Sequence, residues 1–244
     1  MKSSSNTPGA ERRRHQRYHL PSGLRAGPLM TVRASDGKRM PVVNWSYGGM
    51  LLVRPGNSGG AGFLDPACAS VDITMDLQLS RNYVQVATIQ TVASSAETLS
   101  CAFIHNAPDA LLFMRPWMEC LRMGESLVEL KPATMKPEMV AQGWRIWRGD
   151  GPVTLSAKSG GAPEWRLVFP DQGSYVEVGM SDGRVWQRKM VDPEERISPR
   201  MADAGTIDHR LVDSAALILA GACGSGLEDE TGVPMIDSLV ALRG

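Results

Sequence analysis

Val71, Ile73, Met75, Leu77 and Leu79 alternate with Asp72, Thr74, Asp76 and Gln78. That period of two fits a half-buried β-strand and not an amphipathic helix, whose apolar positions recur every three to four residues. The segment has neighbours of the same kind. Residues 29–33, 39–43, 50–53, 83–92 and 99–104 are short and rich in apolar or β-branched side chains. Ser35-Asp36-Gly37 and Ser46-Tyr47-Gly48-Gly49 punctuate them as turns, and residues 57–62 form a glycine-rich loop. Pro41 offers no backbone N–H, which places its strand at an edge or a bulge. Closely spaced strands of this kind predict a small antiparallel barrel.

The pattern changes after residue 104. Pro108 suits a first helical turn, Leu111, Met114, Met118 and Leu121 follow helical spacing, and Gly124 is a stop. Pro116 inside this run is expected to kink or shorten the helix. Residues 125–142, with Pro132 and Pro137, read as a linker. Strand-like segments resume at 144–147, 153–156, 165–169, 175–180 and 185–190. Asp171-Gln172-Gly173 and Ser181-Asp182-Gly183 stand where hairpin turns belong. Residues 206–222 read as a helix capped by Thr206, with Ile207, Leu211, Ala215, Ile218 and Ala222 as its apolar stripe. Residues 234–243 read as one more short helix. Trp144, Trp147, Trp165 and Trp186 are expected in the core of this second unit. The fold class expected is therefore mainly β with terminal helices. The division is a disordered N-terminus (1–10), a barrel with its helix (11–124), a linker (125–142) and a second β-rich α+β unit (143–244).

Of the 244 residues, 43% are hydrophobic and 21% charged, which excludes a disordered chain, a collagen-like repeat and a coiled-coil rod. Lys+Arg and Asp+Glu number 26 each, so a general polyanion binder is not expected. The balance is local all the same. Residues 1–40 hold nine bases and two acids, a net +7, and residues 191–244 hold ten acids and four bases, a net −6. No apolar run approaches the roughly 20 residues of a membrane span. The first 20 residues lack the apolar centre of a secretory signal, so a cytoplasmic protein without membrane insertion is expected. Cys68, Cys101, Cys120 and Cys223 form no close pair, which argues against a zinc site or a disulfide framework. His15, His19, His105 and His209 make no metal-binding or catalytic pattern. No residue set calls for an enzyme, a metal or a cofactor.

Two clusters carry chemistry together. Glu11-Arg12-Arg13-Arg14-His15-Gln16-Arg17 contains RxxxR as Arg13 and Arg17. Asn44-Trp45-Ser46-Tyr47-Gly48-Gly49 contains NxSxxG as Asn44, Ser46 and Gly49. Guanidinium groups bind phosphate bidentately, stack on flat rings and pair with the O6/N7 edge of guanine. An asparagine oxygen can accept from guanine amino groups, a serine hydroxyl can donate to phosphate, and a glycine permits close backbone approach. These residue types suit a ligand with both phosphates and guanines.

This pair resembles the PilZ domain family, in which RxxxR and [DN]xSxxG flank the first strands of a β-barrel. The resemblance covers about residues 11–124, and both motifs are present in order. It implies a PilZ-like antiparallel barrel and a non-catalytic cyclic di-GMP receptor. Arg13 and Arg17 would clamp guanines and phosphates, Asn44 would contact a guanine, Ser46 a phosphate, and Gly49 would shape the turn. Arg12 and Arg14 would add phosphate contacts. The family often carries Asp where this chain has Asn44, which keeps an acceptor and loses a charge. The receptor would govern motility, exopolysaccharide or another surface-associated behaviour such as biofilm formation, through a protein partner of the second unit. Two other readings stay open. One is a degenerate adaptor acting only through protein contacts. The other is a nucleic-acid binder using the basic arm, although no broad basic face accompanies it.

Overall fold

Eight antiparallel residue pairs set the frame of the first sheet. Val71–Gln78 (β5) and Asn82–Ser94 (β6) pair antiparallel from Val71↔Ile89 to Gln78↔Asn82. The alternation turns Ile73, Met75 and Leu77 into the core, with Ala87 and Ile89 facing the same way from β6. The computed structural model describes residues 15–33, 37–54, 70–104, 108–158, 163–190, 201–203 and 206–243. Expectations for residues 1–10, the arginines at 12–14, Ser35-Asp36, the loop at 57–62, Cys68 and His105 fall outside them.

Around this hairpin stand Tyr18–His19 (β1), Met30–Arg33 (β2), Arg39–Ser46 (β3), Gly49–Val53 (β4) and Thr98–Phe103 (β7). The order is β3-β2-β5-β6-β7-β4, and β4 pairs back onto β3, which closes a six-stranded antiparallel barrel. Closure leaves no open edge. β3 serves three partners. β2 pairs with its residues 39–41, β1 with Asn44 and Trp45 farther along, and β4 with residues 42–46. A register shift between Val42 and Asn44 lies just past Pro41, beside the irregularity expected for that proline. The interior holds Met30, Val32, Trp45, Met50, Leu52 and Leu99.

Pro108–Glu125 (α1) follows and buries Met114, Met118 and Leu121. Leu111, expected on the same stripe, is 42% exposed. Pro116 does not end the helix. It and Leu112, whose carbonyl loses its usual donor, both lie on the exposed side, where that carbonyl stays open to solvent.

The stretch read as a linker contributes Val128–Glu129 (β8), a 3-10 turn at Pro132–Thr134 and Pro137–Ala141 (α2). β8 opens a second, seven-stranded antiparallel sheet. It continues through Trp144–Arg148 (β9), Thr154–Lys158 (β10), Trp165–Asp171 (β11), Ser174–Ser181 (β12), Arg184–Met190 (β13) and Met201–Asp203 (β14), each strand beside the next in sequence. Both anticipated hairpin turns are present. Gln172-Gly173 and Asp182-Gly183 take positive φ, the geometry of two-residue hairpins. Trp147 and Trp165 are buried as expected, whereas Trp144 and Trp186 are partly exposed.

His209–Cys223 (α3) and Asp229–Val240 (α4) complete the chain. The cap of α3 is Asp208 and not Thr206, because the Asp208 carboxylate accepts the Arg210 N–H at 2.9 Å. Ile207 therefore precedes the helix and is 40% exposed. α4 begins five residues before Pro234, which lies inside it. Helices α1 and α3 cross at two glycines. A Cβ at Gly124 would sit 1.8 Å from the Ile218 carbonyl oxygen, and one at Gly221 would sit 2.1 Å from that of Leu121. The barrel and the second sheet thus share one continuous core through α1 and α3.

Candidate functional site

The second motif folds as a tight hairpin. Ser46 pairs directly with Gly49, leaving Tyr47-Gly48 as the turn between β3 and β4. The Ser46 Oγ donates to the Gly49 carbonyl at 3.1 Å and accepts from the Gly48 N–H at 3.3 Å. This buried hydroxyl therefore shapes the turn, and it must release the Gly49 carbonyl to donate to a ligand. Gly49 is required by space. A Cβ there would lie 2.1 Å from the Cys101 carbonyl oxygen on the neighbouring β7.

The register shift before Asn44 sets which side chains turn outward. Trp45 and Met50 pair and point into the barrel, both fully buried. Asn44 pairs with Leu51 on one side and His19 on the other, and so faces away from the interior. It is nevertheless only 6% exposed, and its Oδ1 has no hydrogen-bond partner. A buried acceptor left in this state costs about 1–3 kcal/mol unless something donates to it.

β1 brings the arm to the same place. Tyr18 lies opposite Trp45 and His19 opposite Asn44, and continuing that register by one residue beyond β1 sets Arg17 toward Ser46. Farther along, the His15 ring lies over Gly48, whose missing Cβ would be 2.8 Å from it, and meets Tyr47 edge-on at 6.4 Å. Gln16 donates to the Glu125 carboxylate at the end of α1. Thus Arg17, Asn44, Ser46 and Gly49 come together, while Arg12, Arg13 and Arg14 lie outside the described residues. Arg17, half-buried, is the described member of the RxxxR pair.

Neighbouring acids give this corner a mixed field. Burial, and then the Glu125 carboxylate, push the Tyr18 phenol above its ordinary value. The Arg122 guanidinium, donating to Glu119 at 2.7 and 3.1 Å, holds that carboxyl below its ordinary value. Among the described residues no group of His, Cys, Asp and Glu is placed to hold a metal ion. No described helix is long and apolar enough to cross a membrane.

Three features escaped the sequence motifs. Glu125 meets the arm through Gln16, a contact that no spacing rule encodes. Asp213, fully buried on α3, accepts from the Ser80 N–H and the Tyr83 hydroxyl, both at 2.7 Å, and His209 shares a 2.8 Å hydrogen bond with the Ser80 hydroxyl. This is no catalytic triad, because the carboxylate holds the serine backbone and not the imidazole. The third feature is a groove on the second sheet between Trp144 and Trp186. The tryptophans themselves were its only signal.

No family model matches this chain, and no curated protein does. Among solved structures, the Borreliella burgdorferi PlzA protein in complex with c-di-GMP is similar over 78% of this chain and 81% of that one. The sequence identity is 11% and the TM-score 0.32. At that level the likeness carries no weight for function.

Proposed function

We propose that this protein is a non-catalytic receptor for cyclic di-GMP, bound where the arginine arm meets the β3–β4 turn. The observation that carries this reading is the Asn44 Oδ1, buried and without a donor, two residue pairs along the strands from Arg17. Guanine offers N–H donors to such an oxygen, and an arginine can meet its O6/N7 edge or a phosphate. The two motifs in order on a six-stranded barrel add to it. Arg13 and Arg17 clamp the ligand, with Arg12 and Arg14 adding phosphate contacts. Asn44 receives a guanine, Ser46 meets a phosphate, and Gly49 shapes the turn.

In this reading residues 11–124 bind the ligand and residues 143–244 deliver the output to a protein partner in the cytoplasm. The output regulates motility, exopolysaccharide or related surface-associated behaviour. Ordering of the arm on binding is the step that couples the two. Titration calorimetry of the full chain with cyclic di-GMP tests the binding step. Heat is expected for the wild type and loss of it in Arg13→Ala, Arg17→Ala and Asn44→Ala. A wild type that gives no heat and no thermal shift sinks the reading. A protein partner captured equally well with and without cyclic di-GMP sinks the coupling alone.

A further inference from the structure

The outer face of the second sheet carries a groove that the receptor reading does not use. Strand pairing fixes which residues share that face. Ser156, Arg166, Gly179 and Trp186 stand opposite one another across β10 to β13, and Glu177 and Arg188 form an adjacent row. Trp144 on β9 and Trp186 on β13 both line the groove, with three strands between them. Met139 and Gln142, at α2, close one side. The volume of about 600 Å³ is that of a small-molecule site.

The groove is built from fixed parts. A Cβ at Gly179 would lie 2.5 Å from the Trp186 ring, so the bare glycine lets the indole settle on the strand. The Arg188 guanidinium lies over that ring, 4.6 Å from its centroid. The Arg166 Nε donates to the buried Ser156 hydroxyl at 2.9 Å, which orients the rest of the guanidinium. Glu177 is only 6% exposed. Arg166 and Arg188 approach its carboxylate at 3.7 and 3.9 Å, which satisfies its charge but is too long for a hydrogen bond. Among the described residues no side chain donates a hydrogen bond to it. A buried carboxylate in that state has acceptor positions to offer.

Flat apolar walls, a carboxylate acceptor and a guanidinium donor together specify their complement. It is a planar nitrogen heterocycle with adjacent N–H donors on one edge and acceptors on the other. Guanine has both: N1–H and the N2 amino group face a carboxylate, while O6 and N7 accept from arginine. Adenine sets its amino group beside a ring acceptor, which a carboxylate repels. The geometry points to a guanine-base site on the second sheet. Glu177 accepts from the Watson–Crick edge, Arg166 addresses the O6/N7 edge, and Trp144 and the Arg188 guanidinium that covers Trp186 pack against the ring. This site is separate from the Asn44 turn and does not rest on the receptor reading.

Titration of the full chain with GMP and AMP, followed by tryptophan fluorescence, tests it. GMP is expected to quench, with AMP weaker by about tenfold or more. Glu177→Gln should lose GMP affinity by a similar factor while its circular dichroism stays native. Arg17→Ala and Asn44→Ala should leave the GMP response unchanged, whatever becomes of cyclic di-GMP binding. Should Glu177→Gln fail to fold, Gln142→Trp, at an exposed position on the rim, is expected to block the groove with the same loss. Equal affinity for GMP and AMP, no quenching by GMP, or an unaltered GMP response in the variant that folds overturns the assignment. So does a GMP response that vanishes in Asn44→Ala.

Discussion

The Tyr83 phenol donates to the Asp213 carboxylate at 2.7 Å, joining a barrel strand to a helix 130 residues farther along the chain. The same carboxylate takes the Ser80 N–H, and Arg243 donates to the carbonyls of Leu79 and Gln78 at 2.6 and 2.7 Å. The β5–β6 turn is thus held by α3 and by the chain just beyond α4. Removing one donor from a fully buried carboxylate costs about 1.5–3 kcal/mol, so Tyr83→Phe should lose that much in urea unfolding. The pH dependence follows. Burial, and then Asp213, raise the Tyr83 phenol well above its ordinary value of 10.0. A raised value means the folded state prefers the protonated phenol. Its contribution is whole below pH 10.0 and fades as the pH rises toward the folded value. Tyr83→Phe should flatten the alkaline loss of stability, and an unchanged slope would contradict the assignment.

The α1–α3 crossing makes a second prediction. At Gly124 and Gly221 the obstacle to a Cβ is backbone of the opposing helix, which cannot rotate away. Each glycine→alanine change gains in helix propensity on its own, by up to about 1 kcal/mol. It must nevertheless push the helices apart, at about 1–3 kcal/mol or more. Melting temperatures should fall for both single variants. The double variant should fall by less than the sum, since one separation relieves both clashes. Strict additivity would mean that the two positions yield independently.

These two features show where sequence reading stops. The strands of the barrel were legible where one face is core and the other is not, as Ile73, Met75 and Leu77 against Asp72, Thr74 and Gln78 illustrate in β5, although Asp76 is buried too. The hairpin turns at Gln172-Gly173 and Asp182-Gly183 were legible because their backbone geometry selects glycine. Barrel closure by β4 on β3 was not, since it depends on pairing without a local signature. β8 escaped because two residues cannot display a period. Asp208 displaced Thr206 as the α3 cap because Gln187, 21 residues earlier, holds the Asp208 backbone, donating to its carbonyl and accepting its N–H. At the turn, residue types alone singled out Asn44, Ser46 and Gly49. That the Ser46 hydroxyl is spent inside the turn, and the Asn44 oxygen is not, needed coordinates.

That contrast separates binding from folding. Asn44→Val replaces an unpartnered buried oxygen with a β-branched side chain suited to a strand. Stability should hold or rise by about 1 kcal/mol, because the cost of burying the amide disappears. Cyclic di-GMP binding should vanish. A stable variant that still binds with native affinity would remove Asn44 from the ligand site. Ser46→Ala, by contrast, should lose about 1 kcal/mol, since the Gly48 N–H loses its partner.

The described thiols should be inert in the folded protein. Burial pushes Cys101 up to about 11, and Cys120 and Cys223 up to about 12. Against the ordinary thiol value of 9.0, this lowers the thiolate fraction of Cys120 about a thousandfold near neutral pH. A thiol-reactive dye near pH 8 should therefore label the buried Cys101 and Cys120 only as fast as the chain unfolds, and the partly exposed Cys223 slowly. Alanine at each cysteine in turn identifies which one reacts. Rapid native labelling of Cys120 would mean that α1 and α3 separate far more readily than their packing implies.

Arg145 fastens the first strand of the second sheet to the last helix. Its guanidinium donates to both Glu129 oxygens at 2.7 and 2.8 Å, and to Glu228 before α4 at 3.0 Å. It also lies over the Trp147 ring, 5.0 Å from the centroid. The hydrogen bonds from Arg145 hold the Glu129 carboxyl below its ordinary value of 4.5. The ionised form is therefore favoured in the folded state. Its contribution is present above pH 4.5 and is lost as the pH falls through the folded value. Side-chain exposure of 40% at Glu129 and 62% at Glu228 limits the effect to about 1 kcal/mol. Arg145→Met should cost about that much in urea unfolding at neutral pH, and the gap from wild type should narrow near pH 3. Arg145→Lys should recover only part of the loss, since an ammonium cannot engage both Glu129 oxygens in parallel. A gap that stays constant from neutral pH to pH 3 would assign the role of Arg145 to its packing on Trp147 instead of its ion pairs.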